Sequence, residues 1–223
     1  MVSIAAWIIG FAICYFFVDH IYGFLMEPLA SSFAEGQERR FIYTSLPETF
    51  LTYMKLAAFA GFFLAFPVMA AQVYGFVAPG LYASERKAFL PYLVVAPVLF
   101  FLGAALAYYY VFPLAWKFFI SFESGGSALP MPIQLEAKVS DYLALVMQVL
   151  IAFGLCFQLP VVLTLLGHVG IVDAEGLAKK RKIAILVIVS VAAVLTPPDV
   201  ISQIALSIPL YLLYEISILS CRM

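Results

Sequence analysis

The residues best suited to chemistry lie in one polar segment between two apolar runs, from Phe76 to Lys87. Pro79 and Gly80 end the preceding helix, because proline has no N–H to donate and glycine suits a helix C-terminus. Glu85 then falls in the first turn of the next helix, where a carboxylate stabilises the helix dipole. The residues alone favour this helix-start interpretation. The alternative is that Glu85 docks a cationic ligand, since arginine pairs with a carboxylate through two parallel hydrogen bonds.

Few polar side chains lie inside the apolar runs, and the main ones are Gln72, Gln148 and Gln158. A polar group inside a membrane span is costly, so each needs a partner or a function. Gln158 either contacts a polar substrate segment or cavity water, or hydrogen-bonds a neighbouring helix or the carbonyl freed by Pro160. The residues alone favour the second interpretation.

Pump, metal and enzyme chemistry are not indicated. An ion-coupled pump buries carboxylates near the membrane midplane, whereas Asp199 and Glu215 lie near opposite ends of the last two apolar runs. The three cysteines are far apart and form no CxxC motif, and the two histidines are isolated. We therefore expect no catalytic residues, no metal site and no cofactor.

The composition is that of a membrane protein. The chain of 223 residues is 65% hydrophobic and 11% charged, with a mean hydropathy of +1.06. A soluble domain is nearer half apolar and one quarter charged, so much of this apolar surface must face a lipid bilayer. No basic stripe suggests a nucleic-acid partner. The expected fold class is all-α, a polytopic membrane protein.

Charged residues divide the chain into six apolar runs, which predict six transmembrane helices in a single domain over 1–223. The predicted spans are about 2–26, 52–77, 88–116, 142–167, 183–197 and 200–220. The last two are short, since the uncharged run 183–198 reaches only about 24 Å. We expect a locally thinner bilayer there. The alternative for the sixth helix is that Glu215 faces protein and the helix continues to Cys221.

Lysine and arginine placement predicts the orientation. Seven basic residues mark one side: Arg86, Lys87, Lys179, Lys180, Arg181, Lys182 and Arg222. Cytoplasmic loops carry the excess of lysine and arginine, so this side, with both termini, is expected to be cytoplasmic. The chain begins inside an apolar run and ends soon after another, and we expect truncation at one or both ends.

Several motifs together resemble the TatC family, the multi-spanning subunit of the twin-arginine protein translocase. The most specific is FVAPGLY at 76–82, followed by SERK at 84–87. Other matches follow the family order: LPE at 46–48 with Lys55, FP at 66–67, FGLCFQLP at 153–160, LTPPDV at 195–200, and LYEI at 213–216. The resemblance covers almost the whole chain.

The resemblance implies a receptor for signal peptides bearing two consecutive arginines. It would act with TatA- and TatB-type single-span subunits, as a homo-oligomer within a larger complex, to export folded proteins using the proton-motive force. The implied fold is six tilted helices in a concave, glove-like bundle of the bacterial inner membrane. The implied signal-peptide site comprises Glu85, Arg86, Lys87, Phe76, Pro79 and Tyr82. The implied structural or functional polar positions are Gln158, Gln72, Pro47, Asp199 and Glu215.

Two departures from the family pattern stand out. The family has a cytoplasmic motif similar to His-Leu-x-Glu-Leu-Arg before the first helix, which is missing here, so we expect either that part of the receptor site is absent or that this sequence starts late. Many relatives also have glutamate at the position of Gln158, which keeps hydrogen bonding without the charge. The alternative functions are a small-solute secondary transporter, which predicts inverted repeats, and a membrane-embedded enzyme, which predicts clustered polar residues.

Overall fold

The chain is almost entirely helical where a computed structural model describes it, over 1–30, 42, 45–77, 83–121, 138–168, 170, 172–195 and 200–221. Side chains are described for these residues apart from 76–77, 83–90, 168, 194–195 and 201–202. The helices are α1 (Val2–Phe16), α2 (Val18–Ala30), α3 (Glu48–Val77), α4 (Ala83–Leu106), α5 (Phe112–Ser121), α6 (Val139–Cys156), α7 (Leu159–His168), α8 (Ala174–Lys179), α9 (Arg181–Leu195) and α10 (Val200–Ser220). The expected all-α fold class is confirmed.

The first predicted span, 2–26, differs from the structure, which has two helices bent by 79°. At Phe17 the backbone leaves the helical conformation, with φ −106° and ψ 15°, and its N–H bonds back to the Cys14 carbonyl. The sequence shows no break here because the run through Phe16, Phe17 and Val18 is uninterrupted and apolar. As a result α2 turns across one end of the bundle instead of extending α1.

Membrane-spanning length is reached in four stretches of the described chain: Glu48–Gly75, Pro91–Ser121, Val139–Gly167 and Gln203–Ser220. A fifth is added if α1 and α2 together make one broken span. With 15 residues, α9 is about 22 Å long, which is short of a hydrocarbon core about 30 Å thick. The count of six spans therefore stays a prediction.

Some prolines coincide with breaks or irregular turns in the helices, and others lie inside continuous helices. Pro67, Pro97 and Pro209 lie inside continuous helices, whereas α6 ends four residues before Pro160. Between α4 and α5 lies a π-helical segment, Ala107–Val111, in which the Phe112 N–H donates to the Ala107 carbonyl. Pro113 follows directly, and its missing N–H removes the regular bond to the Tyr109 carbonyl, which favours this wider local winding.

Phe100 of α4 is fully buried where α4 packs against α3 and α6. Its ring stacks on Phe66 of α3 with ring centroids 3.7 Å apart. The ring also lies against Gly154 of α6, where an added Cβ would come within 2.6 Å of it. Close packing of an aromatic ring against a small residue gives helix contacts that lipid cannot replace.

The closest helix crossing joins α1 to α3. A Cβ added at Gly61 would lie 2.5 Å from the Phe11 backbone nitrogen, and one at Gly10 would lie 2.8 Å from the Gly61 carbonyl oxygen. The Trp7 indole N–H donates to the Ala58 carbonyl at 2.9 Å beside the crossing. Small residues on both helices let the backbones touch, as is typical of helix pairs in membranes.

The close crossing of α1 and α3 predicts that Gly61→Ala lowers the stability of the protein. The new methyl group would meet backbone atoms of α1, so the helices must separate, at a cost of about 1–3 kcal/mol in the free energy of unfolding. Thermal unfolding of the detergent-solubilised protein measures this loss. The matched control is Gly75→Ala on the same helix, where nothing lies within 4 Å of the added Cβ. Equal unfolding temperatures for the two variants would contradict the tight crossing.

Candidate functional site

The predicted signal-peptide segment joins the end of α3 to the start of α4. Phe76 is the penultimate residue of α3, and Glu85 is the third residue of α4, so Glu85 lies in the first turn as expected. Arg86 and Lys87 follow on the same turn and the next. Pro79 and Tyr82 lie outside the described residues, as do the side chains of the other four positions. The structure therefore gives only the backbone positions of Phe76 and of Glu85, Arg86 and Lys87.

Gln158 bridges two helices. Its side-chain N–H donates to the Ala96 carbonyl of α4 at 2.9 Å, while the residue itself lies in the break between α6 and α7. This is the neighbouring-helix hydrogen bond that the residues alone favoured. Because the amide donates here, an ionised glutamate could not make the same contact.

An ion pair joins the start of α9 to α10. The Arg181 guanidinium lies 2.8 Å from the Glu215 carboxylate, which also accepts a hydrogen bond from the Tyr211 hydroxyl at 2.9 Å. Glu215 raises the pKa of Arg181 above its ordinary value, through the hydrogen bond first and its charge second. Glu215 therefore faces protein and α10 runs on to Ser220, which agrees with the alternative given for the sixth helix.

The end of α10 near this pair is also tied to α8. The Tyr214 hydroxyl donates to the Leu177 carbonyl at 2.9 Å, and both residues are buried. Asp173 begins α8 by accepting a hydrogen bond from the Gly176 N–H at 3.1 Å. The loop between α7 and α9 thus packs on α10, and the basic residues that precede and begin α9 lie exposed beside it.

At the opposite end of the bundle, Glu48 is buried and pairs with Lys138 at 3.6 Å. The Ser45 N–H also donates to this carboxylate, at 3.3 Å. A backbone bond from the Val139 N–H to the Ile42 carbonyl runs alongside. The predicted site residue is the neighbouring Pro47, which is exposed and whose carbonyl accepts from the Leu51 N–H. The buried charge is therefore at Glu48.

Two predicted polar positions remain. Gln72 is exposed on α3, and Asp199 lies outside the described residues. Within the described part of the chain, no three histidine, cysteine or acidic side chains come close enough to hold a metal ion.

Three buried aromatic side chains escaped the sequence analysis. The Tyr108 hydroxyl donates to the Phe24 carbonyl at 2.6 Å, and the Tyr142 hydroxyl donates to the Leu25 carbonyl at 2.8 Å. The Trp116 ring lies 5.1 Å from the Tyr142 ring and is buried, with no partner for its N–H among the described residues. The only available signal was Pro28, which frees a carbonyl in α2 that another group must satisfy.

The long apolar helices and their internally paired polar groups define a multi-pass helical membrane protein. The family profile of the Sec-independent protein translocase protein (TatC) matches residues 1–209. The chain belongs to the TatC family, and it is a translocase subunit rather than an enzyme.

Related sequences and solved structures match this chain over nearly its full length. The TatC protein of Rickettsia prowazekii is 49% identical over 97% of this chain and 85% of its own length, and that of Escherichia coli K12 is 37% identical over 98% and 82%. A crystal structure of the twin-arginine translocase receptor TatC superposes with a TM-score of 0.79 at 35% identity, covering 99% of this chain and 93% of that one. A second, in DDM, gives 0.81 at 36%, covering 97% and 93%. These bacterial relatives indicate an inner-membrane protein.

The Gln158 bridge predicts a modest loss of stability in Gln158→Leu. One interhelical hydrogen bond disappears, which costs about 1 kcal/mol in the free energy of unfolding. Thermal unfolding in detergent measures the loss. Gln148→Leu is the matched control, because Gln148 lies exposed on α6. If Gln158→Leu unfolds at the wild-type temperature, the bridge carries no net stability.

Proposed function

We propose that this protein is the receptor subunit that binds twin-arginine signal peptides, and that it acts with TatA- and TatB-type subunits to export folded proteins using the proton-motive force. The observation that carries this proposal is the likeness of nearly the whole chain to crystal structures named as the twin-arginine translocase receptor. The family membership favours it over a small-solute transporter.

The proposed peptide site is the segment that joins α3 to α4. Glu85 supplies the carboxylate, and the guanidinium of one peptide arginine pairs with it through two parallel hydrogen bonds. Lysine has a single ammonium group and cannot form that fork. In this proposal Phe76, Pro79 and Tyr82 would supply apolar contacts to the peptide, and Arg86 and Lys87 would set the charge around the site.

The orientation of the chain is part of the proposal. α3 ends and α4 begins at the same end of the bundle, and the α7–α9 loop follows α7 at that end too. This end carries Arg86, Lys87 and the basic run 179–182, so the positive-inside rule makes it cytoplasmic. Both termini then lie in the cytoplasm, where signal peptides arrive before export.

The described carboxylates support a mechanism that uses partner subunits. Glu48 and Glu215 are the two that are not exposed in the described chain, and each pairs with a cation, Lys138 and Arg181 respectively. Both lie near helix ends and away from the membrane midplane. A proton relay would need carboxylates near the midplane. We therefore propose that the proton-motive force is coupled through TatA- and TatB-type partners. We also propose that these partners hold several copies of this chain together.

The peptide site predicts the outcome of a binding experiment with Glu85→Gln and Glu85→Ala. Removing one partner of a close charge pair costs at least about 2 kcal/mol, which weakens binding on the order of thirtyfold. The measurement is the affinity of a fluorescent twin-arginine signal peptide for the detergent-solubilised protein. A peptide with two lysines should bind the wild type weakly.

Glu175→Gln is the matched control, because Glu175 is an exposed carboxylate at the same end of the bundle. It should bind the peptide as the wild type does. Binding that survives both Glu85 substitutions would move the site elsewhere on the cytoplasmic face. Wild-type protein that binds the two peptides equally would overturn the receptor proposal.

The partner proposal predicts co-purification. When the tagged chain is expressed with TatA- and TatB-type subunits and extracted in mild detergent, at least one single-span subunit should remain bound through several columns. The control is an unrelated multi-pass protein of similar size, expressed with the same subunits, which shows how much of each subunit is carried along non-specifically in lipid and detergent. A preparation that contains this chain alone, yet exports cargo in reconstituted vesicles, would contradict the proposal.

A further inference from the structure

α2 lies across the end of the bundle at which α3 and α6 begin and α4 ends. Three tyrosines contact it, from α3, from α6 and from the π-helical segment that follows α4. Tyr108 and Tyr142 donate to backbone carbonyls of α2. The ring of Tyr53 on α3 lies 5.7 Å from that of Tyr22 on α2. The end of the bundle is therefore tied together through α2.

The Tyr108 hydrogen bond replaces a backbone hydrogen bond that α2 lacks. In a regular α-helix the carbonyl of residue 24 accepts the N–H of residue 28. Here residue 28 is Pro28, which lies inside the helix and has no N–H. The Phe24 carbonyl thus lacks its intrahelical donor, and the Tyr108 hydroxyl donates to that same carbonyl at 2.6 Å.

Tyr108 is placed for this contact by the π-helical segment Ala107–Val111. Its ring stacks on the Phe24 ring, with centroids 4.5 Å apart and planes within 4°, and only 7% of the residue is exposed. The next two residues in the segment, Tyr109 and Tyr110, are exposed by 65% and 70%. Three tyrosines in a row thus include one that is directed inward, at the proline-freed carbonyl.

Tyr142 makes a contact of a different kind. It donates to the Leu25 carbonyl, to which a regular helix directs the N–H of Leu29 as well. Tyr142 is therefore a second donor to a carbonyl that already has one, whereas Tyr108 replaces a donor that is missing.

We propose that Tyr108 is a positioning residue that completes α2 at the defect made by Pro28 and so holds α2 across this end of the bundle. The hydroxyl and the proline act as a pair, because with Pro28 in place the loss of the hydroxyl leaves the Phe24 carbonyl without a donor. This role lies at the end of the bundle opposite the start of α4, so it does not depend on the proposed peptide site.

A double-mutant cycle tests the pairing. Tyr108→Phe keeps the ring stack but leaves a buried carbonyl without a donor, which should speed amide hydrogen exchange in α2 about tenfold. Pro28→Ala restores the N–H to the helix. In the Pro28→Ala background, Tyr108→Phe should therefore change exchange in α2 little. Hydrogen exchange with mass-spectrometric detection of α2 peptides is the readout.

Two matched variants separate this pairing from a general loss of packing. Tyr109→Phe removes an exposed hydroxyl from the same segment and should leave exchange in α2 unchanged. Tyr142→Phe should speed exchange equally with and without Pro28→Ala, because its carbonyl does not depend on residue 28. A Tyr108→Phe effect that persists undiminished in the Pro28→Ala background would overturn the pairing.

Function supplies a second readout. Tyr108→Phe should slow export of a folded twin-arginine cargo while peptide affinity stays at the wild-type value, and Pro28→Ala should restore part of the export rate. Equal losses of export in Tyr108→Phe and Tyr109→Phe would overturn the positioning role. Failure of the wild type to bind peptide would overturn the proposed function but leave the exchange result intact.

Discussion

Each proline inside a membrane helix removes one backbone N–H and leaves one carbonyl that lipid cannot hydrogen-bond. The bundle depends on where such carbonyls find their donors. At Pro28 the donor is a tyrosine from another helix. Near Pro160 the helix breaks, and the side chain of Gln158 at the break crosses to α4. At Pro28 a hydrogen bond that would have stayed inside one helix is thus replaced by a contact between helices, and at Gln158 a side-chain hydrogen bond joins two helices beside a break.

The sequence predicts apolar runs of membrane-spanning length because hydrocarbon thickness sets the length of a helix that crosses it. It places one run at 200–220, where the structure has the helix α10, while the count of six spans stays a prediction. It fails at Phe17, where the helix axis turns by 79° within an unbroken apolar run, since hydropathy reports burial in lipid and not direction. It fails again at the π-helical segment Ala107–Val111, whose wider winding has no composition of its own.

The candidate site, too, could be predicted from the sequence only in part. The residues alone predict Glu85 in the first turn of a helix, and the backbone of α4 agrees with that placement, while the docking role that the resemblance implies stays a prediction. Resemblance also selected Pro47, while the buried and paired charge beside it is Glu48. Tyr108 and Tyr142 were missed because a tyrosine in an apolar run resembles any interfacial aromatic residue. Only the folded chain shows which carbonyl each hydroxyl meets.

Trp116 gives the molecule an optical reporter at this end of the bundle. The chain has two tryptophans, and Trp116 is the buried one, in contact with the Tyr142 ring. Tyr142 in turn holds the Leu25 carbonyl of α2. With Trp7 replaced by phenylalanine, the emission wavelength and quenching of a single indole would follow the wetting of its surroundings. Movement of α2 away from the bundle would then be visible as a red shift in real time, without any attached dye.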